Sequence, residues 1–560
     1  MQRKPTPRAL ATAFLLLSAT LSVIILGVRN LYDDEISSLD LVTTSARNIL
    51  QVTAHGDVHP PGMYLLAHLA YSILPSFRWM NLFPTLIVYA GLTIFLLQVT
   101  PLFARTRSRF CLLLLATLHP QLLLWSTTFR WYSWWTGIVL IAITVALQPS
   151  NPKPIFGTAR ALTLGFLLAC LFYVNYIAFL FAFALGAAML ARYRSQPWKR
   201  LLPPALLTLG VFLALITPQF HTMLTVHIPN GRTQTSGLTD SVLRLLLSVA
   251  ASEAYVPWHP LAISASLLFA ALCITGMMAA MRLHRRRPPL DVASTNAGMP
   301  DTALASIVLF GLLFFLLVAA TGLGGRPRNG LLLIPVLAPG AALIVGTLRP
   351  RMQDAILSFF ALWIAVGLAH QLGRYGLTKA TMNDRPEQVV AFIQQTAGPG
   401  CSIVVTYDTT LAFSIAQANL PLILILSPFD SPIFGGPRSL PSDGCARTRL
   451  YAIHSYLDEN SPWARTLNHE VQSSTQLIKG QPHTDSFSFD PDAARKRALS
   501  RIPVLHGDLA PADALPDYRY VVTSGSIDPT SLETIRKRMP DFLNSYPTSS
   551  TEDSSQPTSK

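Results

Sequence analysis

Residues 9–28 read ALATAFLLLSATLSVIILGV, a run of 20 residues without a charged side chain. A helix of that length crosses a hydrocarbon layer of about 30 Å. A loop cannot do so, because its backbone polar groups would stay unsatisfied in lipid. The run is also longer than the apolar part of a usual signal peptide, so it predicts a retained first membrane helix.

Similar apolar blocks recur along the chain as far as residue 370. Of the 560 residues, 51% are hydrophobic and only 13% are charged, which is a membrane composition. The sequence therefore predicts an all-α polytopic membrane domain with about eleven transmembrane helices. They lie near residues 10–28, 82–99, 110–128, 132–148, 161–173, 176–190, 202–219, 259–281, 303–321, 331–347 and 353–370. A shorter block at residues 60–74 suits either an interfacial helix or a further span.

The basic residues decide between these two topologies. The net charge of +14 would suggest nucleic acid in a soluble protein, but here most Lys and Arg residues before Gln371 stand in short clusters between apolar blocks. With a cytoplasmic N-terminus and an interfacial block at residues 60–74, 18 of the 26 basic residues before residue 371 fall inside. A spanning block would leave nine inside and 17 outside. The positive-inside rule therefore selects an interfacial helix at residues 60–74. The expected partners of the chain are membrane lipids and not nucleic acid.

This topology places the loop 29–81, which contains the interfacial helix, and everything after Gln371 outside the cytoplasm. We expect an integral protein of the bacterial inner membrane, or of the ER membrane in a eukaryote. Residues 1–370 form the predicted catalytic membrane domain, residues 371–544 an extracytoplasmic α/β domain, and residues 545–560 a Ser/Thr/Pro-rich disordered tail. Within the α/β domain, Asn383-Asp384-Arg385-Pro386 predicts the start of a helix, with Pro386 in its first turn, that leads into residues 388–396. The runs at residues 402–406, 422–426, 450–453 and 518–523 predict strands.

The cysteines fall into two groups. Cys111, Cys170 and Cys273 lie in apolar blocks, where a thiol behaves as a small hydrophobe. Cys401 and Cys445 lie in the polar C-terminal region, and an extracytoplasmic location would allow a disulfide between them. No CxxC or His/Cys metal spacing is present, which argues against structural zinc.

Three adjacent carboxylates, Asp33-Asp34-Glu35, directly follow the first predicted span. They suit the solvated end of a helix. They also suit the general base that activates a hydroxyl acceptor at a membrane surface.

A second candidate segment is His59-Pro60-Pro61-Gly62-Met63-Tyr64. The two prolines are explained by the first turn of the interfacial helix. His59 stands at the start of that helix, at the depth where the phosphate of a lipid carrier would lie.

Two arginine segments on the outer side are candidate anion sites. The first is Arg130-Trp131-Tyr132, whose tryptophans, with Trp125, Trp134 and Trp135, are explained by an interfacial aromatic belt. Arg130 itself either snorkels or binds a phosphate with its planar fork of donors. The second segment contains Arg326 and Arg328, which run against the positive-inside trend.

In order, spacing and sidedness these segments resemble the GT-C superfamily of glycosyltransferases. The resemblance is to the branch that contains the protein O-mannosyltransferases and the lipid A aminoarabinose transferase. Asp34-Glu35 matches the acidic pair of the branch, residues 59–64 match its His-Pro-Pro segment, and Arg130–Tyr132 matches its Arg-x-Tyr segment.

The chain departs from the family pattern at three places. Gly62-Met63 replaces larger residues, Asn329 replaces the aromatic residue after the late arginine, and Asn175-Tyr176 stands where a His-Tyr pair is typical.

The resemblance implies an inverting sugar transfer from a dolichyl- or undecaprenyl-phosphate donor to an extracytoplasmic lipid, glycan or protein. Asp34 takes the position of the base, with Glu35 and Asp33 as second and third choices. No cofactor is certain, and a divalent cation stays open because some relatives use one. The implied contacts to substrate and phosphate are His59, Tyr64, Arg130, Tyr132, Tyr176, Arg326 and Arg328.

Two rival functions come from other classes. A transporter or flippase of polyprenyl-linked sugars would also need charged groups at headgroup level. Coupled transport usually requires ionisable residues near the centres of the spans, and we expect the spans of this chain to lack them. A non-catalytic subunit of an envelope-assembly machine would not need the acidic cluster, which is intact.

Overall fold

The computed structural model describes two compact units. The first comprises residues 1–30, 41–228 and 233–380, and the second comprises residues 31–40, 229–232 and 381–560. Within them, the described residues are 6–28, 33–55, 59–151, 155–194, 196–225, 238, 242, 245, 260–285, 299–321, 330–372, 386–397, 401–406, 411, 415, 423–426, 448–455, 471–488 and 519–528.

Helices cover the predicted apolar blocks. In chain order they are α1 (Pro7–Val28), α2 (Asp33–Thr43), α3 (Ala46–His55), α4 (Gly62–Ile73), α5 (Leu82–Val99), α6 (Thr106–Leu118), α7 (Pro120–Trp125), α8 (Trp131–Leu147), α9 (Thr158–Val174), α10 (Ala178–Arg192), α11 (Trp198–Thr225), α12 (Pro260–Arg285), α13 (Met299–Ala320), α14 (Leu333–Thr347) and α15 (Pro350–Leu372). Short 3₁₀ turns at Trp79–Asn81 and Thr100–Leu102 flank α5.

Among the described residues, six helical segments are long and apolar enough to cross a membrane: Pro7–Gly27, Trp79–Leu102, Thr106–Trp125, Trp198–Phe220, Thr302–Ala320 and Pro350–Leu368. Exposed leucines on these helices, such as Leu16 on α1 and Leu206 on α11, suit contact with lipid. These features support an integral membrane protein. The number and direction of the crossings, and the interfacial position of α4, stay predictions.

Glycines allow close approach between helices of the first unit. A Cβ atom on Gly91 of α5 would collide with the backbone of Gly137 on α8. The same holds for Gly276 of α12 against Gly340 on α14. Small residues are the usual means of packing helices in a membrane, where apolar burial gives little drive to association.

A buried hydroxyl cluster joins α1, α5 and the end of α7. The Tyr89 hydroxyl lies 2.6 Å from Ser18 Oγ and 2.7 Å from Ser22 Oγ. Ser22 Oγ lies 3.2 Å from Ser126 Oγ, and Thr85 donates to the Ser126 carbonyl at 3.0 Å. The cluster fixes the chain just before the segment that carries Arg130.

The second unit contains a five-stranded mixed sheet and helix α16 (Pro386–Thr396). The strands are β1 (Cys401–Thr406), β2 (Ile423–Leu426), β3 (Thr448–Ser455), β4 (Lys479–Ser488) and β5 (Arg519–Ile527), in the order β2-β1-β3-β5-β4. β2, β1 and β3 are parallel, while β5 is antiparallel to both β3 and β4. Val389 and Ile393 of α16 pack on Val404, Ile453 and Val522 of the sheet.

Helix α16 has Pro386 in its first turn and ends at Thr396, as predicted, and the four predicted strands are present. β4 was not predicted, because its sequence KGQPHTDSFS is polar and carries a proline. Those features suit an edge strand, which has a neighbour on one side only.

Several predictions fall outside the described residues. They concern Arg326, Arg328, Cys445 and the tail 545–560. The side chain of Cys401 is likewise not described, so its disulfide with Cys445 stays a prediction. The thiols of Cys111, Cys170 and Cys273 are free, and Cys111 and Cys273 are buried, as expected of small hydrophobes.

Candidate functional site

Arg130 stands on a short turn between α7 and α8. The chain breaks at His119-Pro120, because proline disfavours a helical residue before it and has no N–H to continue the helix. His119 Nδ1 accepts the backbone N–H of Gln121 at 3.2 Å and caps α7. Arg130 is extended, with φ −67° and ψ 159°, and α8 begins at the next residue.

Side-chain hydrogen bonds close this turn. The Thr128 and Ser133 hydroxyls lie 2.8 Å apart, and both reach the carbonyl oxygen of Trp125, at 2.9 and 2.5 Å. Trp134 Nε1 donates to the Phe129 carbonyl oxygen at 2.7 Å.

The structure brings Arg130 and His59 together, 71 positions apart in the chain. Arg130 Nη2 lies 3.3 Å from His59 Nε2, and the arginine is only 7% exposed. A guanidinium has donors and no acceptor, so Nε2 is the acceptor in this contact. The imidazole is then neutral, with its proton on Nδ1. The two residues predicted to contact phosphate therefore lie side by side, with the positive charge on Arg130.

Tyr176 lies in the turn that follows α9, and the end of α9 packs against Gly62 at the start of α4. A Cβ atom at Gly62 would lie 2.5 Å from the carbonyl oxygen of Tyr173. Asn175 Oδ1 accepts the backbone N–H of Ile177 at 2.9 Å and so supports the turn into α10. Tyr176 accepts a hydrogen bond from Gln219 Nε2 of α11 at 2.9 Å.

Tyr64 and Tyr132 are both buried. The Tyr132 ring packs edge-on against Trp125, with centroids 5.0 Å apart, and against Trp131, at 5.6 Å. Tyr132 therefore belongs to the packed interior of the segment that carries Arg130.

The predicted aromatic belt is wrong for this segment. Trp125, Trp131, Trp134 and Trp135 are all buried within the protein, where they pack against other rings. Belt tryptophans would instead expose one edge to the headgroups. Their spacing of three to four residues on α8, read as a helix face, would have favoured a packed interior.

The acidic cluster begins helix α2, so its charges lie at the positive end of the helix dipole. Glu35 is fully buried, which contradicts a solvated helix end at this residue. The side chains of Asp33 and Asp34, like Arg326 and Arg328, lie outside the described part of the structure.

No group of three or more His, Cys, Asp or Glu side chains is placed to hold a metal ion in the part of the chain that the structure describes. The divalent cation stays a prediction, since the Asp33 and Asp34 side chains lie outside the described part of the structure.

The sequence interpretation missed His119, which lies in the middle of the predicted span 110–128 and is fully buried. The premise that the spans lack central ionisable residues is therefore wrong. His119 caps α7, which gives it a structural role. The sequence interpretation also missed Gln219, Thr128 and Ser133. These are polar residues in or beside apolar blocks, and polar residues in such positions are candidates for functional or packing roles.

Comparisons with known proteins find a shared fold. No protein-family model matches the chain, and no curated protein matches it significantly in sequence. The crystal structure of ArnT from Cupriavidus metallidurans in the apo state aligns over 92% of this chain and 97% of its own, with a TM-score of 0.50 and 15% identity. A structure of the same protein bound to undecaprenyl phosphate aligns over 92% and 98%, with a TM-score of 0.48 and 14% identity. Over most of its length, the chain is similar in fold to ArnT.

Proposed function

We propose that the chain is a membrane glycosyltransferase of the GT-C type. It transfers a sugar from a polyprenyl-phosphate donor to an extracytoplasmic lipid, glycan or protein, with inversion at the anomeric carbon. The fold similarity to ArnT, a GT-C aminoarabinose transferase, supports the class. The motifs support the donor class.

The observation that carries the proposal is the contact between Arg130 and His59. A guanidinium that is largely withdrawn from water interacts strongly with a phosphate, by charge and by two parallel hydrogen bonds. The guanidinium presents five N–H donors in a planar fork, a geometry that matches the oxygens of a phosphate. Such a site stabilises the negative charge that builds on a departing phosphate.

The proposed reaction balances without a co-reactant. An acceptor hydroxyl loses its proton to Asp34, and its oxygen forms a bond to the anomeric carbon. The bond from that carbon to the phosphate oxygen breaks, and both electrons leave with the polyprenyl phosphate. The proton then passes from Asp34 to solvent. Glu35 is the second candidate for the base and Asp33 the third.

The remaining assignments rest on the resemblance. Arg326 and Arg328 add positive charge for the carrier, and Tyr64, Tyr132 and Tyr176 line the substrate. A divalent cation held by the acidic cluster stays part of the proposal, since carboxylates are its usual ligands.

The proposal is tested on the purified chain with undecaprenyl phosphate-linked sugars and acceptor extracts. A transferase releases one free undecaprenyl phosphate for each sugar that reaches an acceptor, whereas a flippase leaves the donor intact. Arg130→Ala should weaken use of the donor by about tenfold or more, the value of a charged hydrogen bond. Arg47→Ala is the control, because Arg47 is exposed on α3.

Mass spectrometry then identifies the substrates. Lipid A, glycans and secreted proteins are compared between cells with and without the gene. The mass that disappears gives both the sugar and its acceptor. A donor that stays intact in every extract, with an unchanged envelope, contradicts the transferase.

A further inference from the structure

We propose that Thr128, Ser133 and Trp134 are positioning residues for Arg130, hereafter the Arg130 frame. The inference rests on the proposed function, since it takes Arg130 as the contact to the carrier phosphate. The frame holds the guanidinium at the phosphate before the carrier arrives.

The first part of the frame closes the base of the turn. Trp125 is the last residue of α7, and its carbonyl oxygen accepts only a long backbone hydrogen bond among those described, from the Thr128 N–H at 3.4 Å. The hydroxyls of Thr128 and Ser133 reach this oxygen at 2.9 and 2.5 Å, and they lie 2.8 Å from each other. Because Ser133 lies in α8 and Trp125 ends α7, these contacts connect the start of α8 to the end of α7 on either side of Arg130.

The second part of the frame fixes the peptide that precedes Arg130. Trp134 Nε1 donates to the Phe129 carbonyl oxygen at 2.7 Å. This oxygen belongs to the peptide bond whose nitrogen is that of Arg130, so its direction sets the entry into the arginine. Rotation of that peptide would move the Arg130 guanidinium. The hydrogen bond from the Trp134 indole therefore holds the peptide, and with it the start of the arginine side chain, in one orientation.

Burial makes these hydrogen bonds consequential. Thr128, Ser133 and Phe129 are each at most 1% exposed, so water cannot replace a lost partner. Arg130 has a long side chain that loses rotamer freedom when it binds an anion. A frame that restricts the backbone beforehand lowers that cost, which is the general effect of preorganisation.

The chain contains a matched control for the indole. Trp134 and Trp135 are adjacent on α8 and 4% and 2% exposed, yet Trp135 Nε1 makes no hydrogen bond within the described structure. Trp134→Phe removes an N–H that has an acceptor, whereas Trp135→Phe removes one that has none. Both changes shrink the ring by the same amount.

A second pair of variants tests the hydroxyls. Thr128→Val keeps the shape and removes the hydroxyl, and Thr128→Ser restores the hydroxyl. Thr136→Val is the control, because within the described residues the Thr136 hydroxyl bonds only its own helix, to the Tyr132 carbonyl oxygen at 2.6 Å. This pair keeps the test informative if Trp134→Phe folds poorly.

The measurement is the Kd of the full-length purified chain for radiolabelled undecaprenyl phosphate, with undecaprenol as the neutral probe. We expect Trp134→Phe and Thr128→Val each to raise the Kd for the phosphate by about twofold to tenfold, the range of one net hydrogen bond. Binding of undecaprenol should not change. Thr128→Ser should restore affinity, and Trp135→Phe and Thr136→Val should match the wild type.

A double-mutant cycle with Arg130→Ala separates positioning from general damage. If the frame acts through Arg130, Trp134→Phe has no further effect once Arg130 is alanine. An equal effect in both backgrounds, or an equal effect of Trp135→Phe, overturns the inference and leaves the proposed function standing. If Arg130→Ala itself leaves the Kd unchanged, both the carrier site and its frame are wrong.

Discussion

Gly62, the first residue of α4, lies against the carbonyl oxygen of Tyr173 near the end of α9. A Cβ atom there would lie 2.5 Å from that oxygen, a distance that real Cβ atoms do not adopt. The glycine at this point of the His-Pro-Pro segment is therefore explained by packing. It lets α4 approach α9 and holds His59, three residues earlier, beside Arg130.

Gly62→Val should displace α4 and destabilise the protein by about 1–3 kcal/mol, the usual cost of overpacking. It should also lower transfer, because His59 moves with the start of α4. Gly186→Ala is the control, since nothing lies within 4 Å of a Cβ atom at that position of α10. The control should gain about 0.5–1 kcal/mol, because alanine favours a helix more than glycine does. Apparent melting temperatures in detergent compare the two, and equal losses would contradict the packing argument.

The sequence predicted the helices well because each apolar block carries its own signal. It predicted the strands β1, β2, β3 and β5 of the second unit for the same reason. It failed for β4, because this polar strand has no apolar pattern and is held to β5 by backbone hydrogen bonds, which do not depend on side-chain type. It named Arg130 and His59 separately, but their contact depends on how α4 packs on α9, which no local pattern contains. Thr128 and Ser133 were missed because their role depends on hydrogen bonds to each other and to the Trp125 carbonyl oxygen, and the sequence does not show these contacts.

Asp34→Asn should lower turnover by about 10²–10⁴-fold, because it keeps the shape of the side chain and removes only its basicity. Glu35→Gln tests the second choice, and Asp33→Asn the third. Turnover is measured at saturating donor, with the amount of folded protein in the membrane checked for each variant. Near-normal turnover in both Asp34→Asn and Glu35→Gln would make the base assignment wrong and favour an accessory subunit or a transporter.

Alkaline phosphatase fused after Gln371 should be active, because the charge distribution places this point outside the cytoplasm. A fusion at Arg286, in the Arg-rich stretch that follows residue 281, should be inactive. A cytoplasmic reporter at the same two points should give the opposite pattern. Reversed results would move the acidic cluster to the cytoplasmic side, where a transfer to an extracytoplasmic acceptor cannot take place.

Two arginines should contribute very differently to stability. Arg107 forms a two-point ion pair with Asp354, at 2.7 and 2.9 Å, but both side chains are about half exposed. Exposed ion pairs stabilise little, because water screens the charges and two long side chains must be ordered. Arg192 is 5% exposed, and it donates to the carbonyl oxygens of Leu147 and Asn151 at 3.0 and 2.7 Å.

The surroundings of Arg192 are buried as well. The Arg192 guanidinium also reaches Thr302 Oγ1 at 2.7 Å and so joins the end of α8 to the start of α13. Next to it, burial raises the pKa of the Tyr193 phenol to about 12. The phenol is therefore protonated at neutral pH and donates to the Ala146 carbonyl oxygen at 2.7 Å.

Arg192→Met should therefore lower the apparent melting temperature far more than Arg107→Met does. Methionine keeps the apolar stem but removes the guanidinium donors from these carbonyl oxygens, and each buried polar group left unsatisfied costs about 1–3 kcal/mol. Arg192→Lys should recover only part of the loss, because an ammonium cannot serve the same acceptors with a planar fork. Thermal unfolding of the three variants in one detergent gives the comparison. A larger loss for Arg107→Met, or full recovery by lysine, would mean that charge rather than the geometry of the buried donors holds these helices together.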